Sequence, residues 1–153
     1  MFVYQSSHKV YRDMVNLYKS EKYFHFERPM PFDKITQEIS KYDFGSMIDL
    51  TGYTTPQSRE YLKIATSYRL FTYLEAGLPI IINDGIEYMK KIVEENKVGI
   101  VVKDEEFDDL HNIIKSYDYE ELKKNVFKAR EKLLIDNYVK DVDKFFETVI
   151  QTA

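Results

Sequence analysis

Ser67-Tyr68-Arg69-Leu70-Phe71-Thr72-Tyr73-Leu74-Glu75-Ala76-Gly77-Leu78-Pro79-Ile80-Ile81-Ile82 is the stretch on which the fold is decided. It predicts a helix over Ser67–Ala76, a glycine just past the helix end at Gly77, and then Pro79–Ile82, the most strand-like run in the chain. Working outward, the same alternation repeats. Downstream, Glu87–Asn96 reads as a helix and Val98–Val102 as a strand. Upstream, Phe44–Leu50 is a strand entered at Tyr42-Asp43, preceded by a short helix from near Asp33 with Ile35, Ile39 and Tyr42 on one face. Before that come an aromatic strand, Tyr23–Glu27, stopped at Pro29 and Pro31, a helix over Val10–Lys19, and a first strand at Phe2–Gln5.

Three of these five strand runs are nearly continuous in apolar residues, as in strands covered on both faces. Strands that alternate with helices imply right-handed crossovers and a parallel sheet. The expected fold is therefore α/β, a doubly wound parallel sheet of about five strands. Beyond Lys103 the chain turns wholly helical. Three helices are marked there, by Phe107, Leu110, Ile113 and Ile114, by Leu122, Val126, Ala129 and Leu133, and by Val139, Val142, Phe145, Phe146 and Val149. No repeat or linker interrupts the chain, so residues 1–153 are expected to form one domain.

Composition narrows the function. The 153 residues carry 22 Lys+Arg against 26 Asp+Glu, a net charge of −4, which disfavours binding to a nucleic-acid backbone. The absence of cysteine removes disulfides, thiolate catalysis and cysteine-based zinc sites. No apolar run approaches the roughly 20 residues that span a bilayer. The opening Met1-Phe2-Val3-Tyr4-Gln5 lacks the pattern of a signal peptide. The expected location is the cytoplasm, extending to peripheral association with the inner face of the membrane.

Ligands of doubly wound sheets sit beyond the carboxyl ends of the strands, where helix N-termini point. The connection Thr51–Thr66 reads as a long loop, and loops of that length in compact domains are functional or mobile. It leads into Ala65-Thr66-Ser67-Tyr68-Arg69. A Ser or Thr here caps the helix, the helix dipole favours an anion such as a phosphate, and Arg69 adds a charge-assisted contact. The plain alternative, that Ser67 only caps and Arg69 is only solvated, has equal standing on these residues alone. Asp49, ending the third strand, together with Lys103 beyond the fifth, suggests a phosphoacceptor receiver, but Gln5-Ser6-Ser7-His8 stand where that site needs two acids for Mg²⁺. His8, His25 and His111 lack metal-ligand spacing, and no hydrolase elbow or glycine-rich phosphate loop is present.

The residues 67–81 resemble the donor-site signature of retaining GT-B glycosyltransferases: a basic residue, an apolar pair, an acid, Tyr-Leu, two mostly small residues, Gly, any residue and Pro leading into a Val/Ile strand. Tyr42-Asp43-Phe44-Gly45 resembles the family's Tyr-Asp-x-Gly strand entry. Tyr23-Phe24-His25-Phe26 with Pro31-Phe32, and Gly85–Tyr88 through Val98–Val102, resemble the flanking sections. The resemblance implies a Rossmann-like, C-terminal donor-binding lobe, with the acceptor lobe and a first Gly-Arg strand absent. It implies that Arg28 and Pro29 meet the base and that Thr66, Ser67, Tyr68 and Arg69 hold the diphosphate. Thr51 and Gly52 would approach the sugar. Thr72, which stands where the family has an acid, or Glu75 would meet the ribose. No catalytic residue is assigned, and no metal or other cofactor is expected.

The same resemblance implies transfer of a sugar from a nucleotide-diphosphate sugar to a glycan or lipid-linked acceptor, in polysaccharide biosynthesis. The expected partners are a separate acceptor lobe or a second copy of the chain, because the last helix offers an apolar stripe, and no nucleic acid. A noncatalytic lobe that pairs with an acceptor-lobe chain is the alternative reading.

Overall fold

The computed structural model describes residues 30–48 and 56–152, together with Asp13, Asn16, Leu17, Tyr18, Ser20 and Lys22. The chain divides into two compact units, residues 1–35 and 36–153. In the first, residues 16–18 are helical. Helix α1 (Phe32–Ile39) carries the boundary and ends on the buried Ile39.

The second unit is built on three short strands, β1 (Gly45–Met47), β2 (Ile80–Asn83) and β3 (Gly99–Val102). They are parallel and lie in the order β1-β2-β3, with Gly45 opposite Ile80 and Ile80 opposite Gly99. Between β1 and β2 run α2 (Pro56–Ile64) and α3 (Tyr68–Glu75), and between β2 and β3 runs α4 (Glu87–Asn96). After β3 come a 3₁₀ turn (Asp104–Asp109), α5 (Leu110–Lys115), α6 (Tyr119–Lys132), a second 3₁₀ turn (Ile135–Asn137) and α7 (Val139–Thr152).

Strand alternation divides the core in two. Ile80 and Ile82 turn to one face, where they meet Met47, Leu70 and Leu74 of α3, Met89 and Val93 of α4, and Val126 and Ala129 of α6. Ile81, Ile100 and Val102 turn to the other, where Leu122, Phe107, Leu110, Ile113 and Ile114 cover them. Ile80, Ile82, Ile100, Val93 and Val98 have no solvent exposure, and each such side chain contributes about 1.5–3 kcal/mol by leaving water. The unbroken apolar run of β2 is thus the mark of a strand covered on both faces.

The expectation of five strands wound in both directions is overturned. The described sheet has three strands in sequential order, and the runs Phe2–Gln5 and Tyr23–Glu27 lie outside the described residues. Double winding requires the strand order to reverse, so that crossovers fall on opposite faces. Here two right-handed crossovers in sequence fall on one face, which is why α3 and α4 share a core. The opposite face is closed mainly by chain that comes after the last strand, together with Phe44 and Ile48 on either side of β1.

A second correction concerns residues 51–66, expected to be a loop. Residues 56–64 form α2, whose Leu62 packs on the core. Proline suits a first helical position, its missing N–H being one that no helix satisfies there, so Pro56 starts this helix rather than blocking it.

The turn at Gly77 behaves as expected. Gly77 takes φ +77° after α3, and its N–H donates to the Leu74 carbonyl while Leu78 N–H donates to that of Tyr73. This pair of bonds ends the helix in a Schellman motif, and Leu78 is buried directly beyond it. Lys97 closes α4 in the same way at φ 51°, with Val98 buried after it.

Candidate functional site

The start of α3 is built by Ser67. Its backbone is extended (φ −140°, ψ 132°), its hydroxyl accepts from Arg69 N–H at 3.3 Å, and its carbonyl accepts from Leu70 N–H at 3.2 Å. Both bonds are long for N–H···O contacts, so Ser67 holds these two donors weakly. Thr66, Tyr68 and Arg69 are exposed and Ser67 is half-buried, whereas Leu70 is fully buried. The tip is therefore open to solvent above a helix anchored by Leu70 and Leu74. A helix start of this kind carries a fraction of a positive charge, and Arg69 adds a full one.

Tyr73 ties α3 to β1. Its ring lies against Gly45, where a Cβ would approach the ring carbons to 2.3–2.7 Å, and its hydroxyl donates to the Ser46 carbonyl at 3.2 Å. The five residues from Tyr73 back to Tyr68 cover about 7.5 Å of helix axis. Two residues of strand from Gly45 cover roughly 6.6 Å. The helix runs against the strand, so its tip stands level with Met47 and Ile48, at the carboxyl end of the sheet. Burial raises the Tyr73 pKa above its usual 10, and the neighbouring charge of Arg69 partly opposes this.

Two features at the same end of the sheet have no counterpart among the expected site residues. Lys63, near the end of α2, pairs with Glu60 at 2.7 Å, which raises its pKa, and Glu87 at the start of α4 adds to the effect. Asn83, the last residue of β2, is buried and its side-chain N–H donates to Asp104 Oδ1 at 2.9 Å. The signal for Asn83 was its place, a lone amide closing an otherwise apolar run. Nearby, Lys103 N–H donates to Glu106 Oε2 at 2.9 Å and caps the first 3₁₀ turn.

The structure brings Thr66, Ser67, Tyr68 and Arg69 together at one tip. Thr72 is buried and its hydroxyl donates to the Tyr68 carbonyl of its own helix at 3.1 Å. Glu75 is the exposed last residue of α3, about 10 Å along the axis from Tyr68. Arg28, Pro29, Thr51 and Gly52 lie outside the described residues, as does Asp49. No helix among the described residues is long and apolar enough to cross a membrane.

Comparison with known proteins bears on this arrangement. A family model described as "Glucosyltransferase 3-like, C-terminal domain" matches residues 2–144. A relative named "Glucosyltransferase 3" from Streptococcus parasanguinis is 32% identical over 76 residues, which is 50% of this chain and 21% of that protein. The match thus spans about a fifth of the relative's length. No solved structure matches the chain.

Proposed function

This chain belongs to the glucosyltransferase 3-like, C-terminal domain family, and on that premise we propose that it binds the nucleotide-activated sugar used in glycosyl transfer. The observation that carries the proposal is the solvent-open tip of α3, with Ser67 and Arg69, at the carboxyl end of a parallel sheet. A diphosphate bound there takes backbone N–H donors from the first turn and a charge-assisted contact from Arg69. In the transfer step an acceptor hydroxyl oxygen bonds to the sugar's anomeric carbon and gives up its proton, while the bond from that carbon to the diphosphate oxygen breaks and charge grows on the leaving oxygen. The helix dipole and the guanidinium stabilise that charge more than they stabilise the ground state. The relative's name suggests glucose as the sugar. The resemblance to retaining GT-B enzymes supplies the rest: Arg28 and Pro29 toward the base, Thr51 and Gly52 toward the sugar, and an acceptor held by a lobe elsewhere. Thr72 or Glu75 meets the ribose: the Thr72 hydroxyl, while donating to the Tyr68 carbonyl, still offers one neutral acceptor where the resembled family has an acid, and Glu75 stands at the far end of α3.

That same Thr72 favours a second reading, a lobe that pairs with an acceptor-binding chain without binding a donor. Amide NMR titration with UDP-glucose, GDP-glucose and ADP-glucose separates the two. Saturable shifts confined to Ser67–Thr72 with one of them support donor binding. Unmoved amides across that stretch with all three reject it in favour of the pairing lobe.

A further inference from the structure

We propose that Tyr73 and Gly45 form a seat that fixes the α3 tip against the carboxyl end of the sheet, making Tyr73 a positioning residue for the ligand held at that tip. The part that concerns the ligand rests on the donor-binding reading above. Leu70 and Leu74 hold α3 on the core by apolar contact, which has no preferred direction and tolerates sliding along the sheet. A helix that slips by one residue moves about 1.5 Å along its axis and turns by about 100°. Two contacts of Tyr73 oppose that slip. The hydroxyl's bond to the Ser46 carbonyl is directional, and the ring fills the space that Gly45 leaves by having no side chain. A Cβ at Gly45 would overlap Tyr73 Cγ at 2.3 Å, so ring and glycine require each other.

The seat bears directly on the tip. Arg69 lies four residues before Tyr73, on the same helix face, and its charge is felt at the Tyr73 hydroxyl. Any rotation that lifts Tyr73 off Gly45 therefore also swings Arg69 about the helix axis and changes where its charge stands relative to the sheet.

The test compares Tyr73→Phe, Tyr73→Ala, Gly45→Ala and the double variant Gly45→Ala/Tyr73→Ala with the unaltered chain, reading the Ser67–Leu70 amide shifts and the affinity for UDP-glucose. Tyr73→Phe, which keeps the ring and the core, is expected to shift those amides and weaken binding about threefold. Gly45→Ala should weaken it about tenfold or more. Because the Cβ has nothing to strike once the ring is gone, the double variant should lose no more than Tyr73→Ala alone. Additive losses in the double variant, or tip amides unmoved in both Tyr73→Phe and Gly45→Ala, would overturn the seat. If the unaltered chain binds no nucleotide glucose, the donor reading fails, and the amide shifts and their non-additivity still decide on the seat.

Discussion

Helix α4, framed by β2 and β3, and the terminal helix α7 are both amphipathic, yet they end in opposite states. In the first, Ile80, Ile82, Val93, Val98, Ile100 and Val102 are all withdrawn from water, and the N–H groups of Ile80, Asp84 and Val98 at the strand joints each donate to a backbone carbonyl. In α7, residues 139–151 are exposed throughout, including Phe145 at 62% and Ile150 at 75%. Helical periodicity identifies both helices, but it says nothing about whether the apolar stripe has a surface to bury against. The α4 stripe is closed over a sheet made by its own flanking strands. Among the described residues the α7 stripe has the second 3₁₀ turn as its main neighbour, and a helix of this length gains little stability by itself in water.

This contrast is tested most severely at Gly99, where β3 lies against β2. A Cβ there would come within 2.0 Å of the Ile80 carbonyl oxygen, a backbone atom that cannot move without breaking the ladder. Gly99→Ala should cost about 4 kcal/mol or more in urea unfolding, or abolish folding. Next in size is Leu70→Ala, expected to cost about 2–5 kcal/mol, since Leu70 is fully buried under the α3 tip.

A smaller effect comes from pH. The folded state holds the Tyr73 pKa above the unfolded value of about 10 by burying it. Below pH 10 both states keep the proton and the contribution is constant. As pH rises past 10 the unfolded chain loses its proton first, so stability falls until the folded-state pKa is passed. Stability measured across this range should decline less steeply in Tyr73→Phe. The smallest effect should be Phe145→Ala on α7, within about 0.5 kcal/mol. A loss there as large as that of Leu70→Ala would mean that the two regions do not differ as described.

Much of this was legible in the sequence, and what was not has a physical reason. Helix α4 occupies the expected Glu87–Asn96, because its apolar residues recur at helical spacing and Lys97 ends it abruptly. Strand β2 was legible as an unbroken apolar run, and Ser67 as a cap. Helix α2 was not, because its apolar residues Tyr61, Leu62 and Ile64 gather in its second half, and of these Leu62 packs on the core while Tyr61 and Ile64 are exposed. The strand order was hidden as well: alternation of strands and helices shows that crossovers exist but not whether their order reverses. At the candidate site, the tip could be read from local residues. Its seat could not, because Tyr73 meets a residue 27 positions away, and the Asn83–Asp104 pair spans 21 positions. Contacts of that kind leave no periodic trace along the chain.

The functional reading stands on a sugar-nucleotide diphosphate resting on the first turn of α3. A crystal structure of the chain with UDP-glucose tests it without intermediaries. Diphosphate oxygens are expected within hydrogen-bond distance of the Ser67–Leu70 backbone N–H groups and the Arg69 guanidinium. Diphosphate density elsewhere on the molecule, with the α3 tip bare, would contradict it.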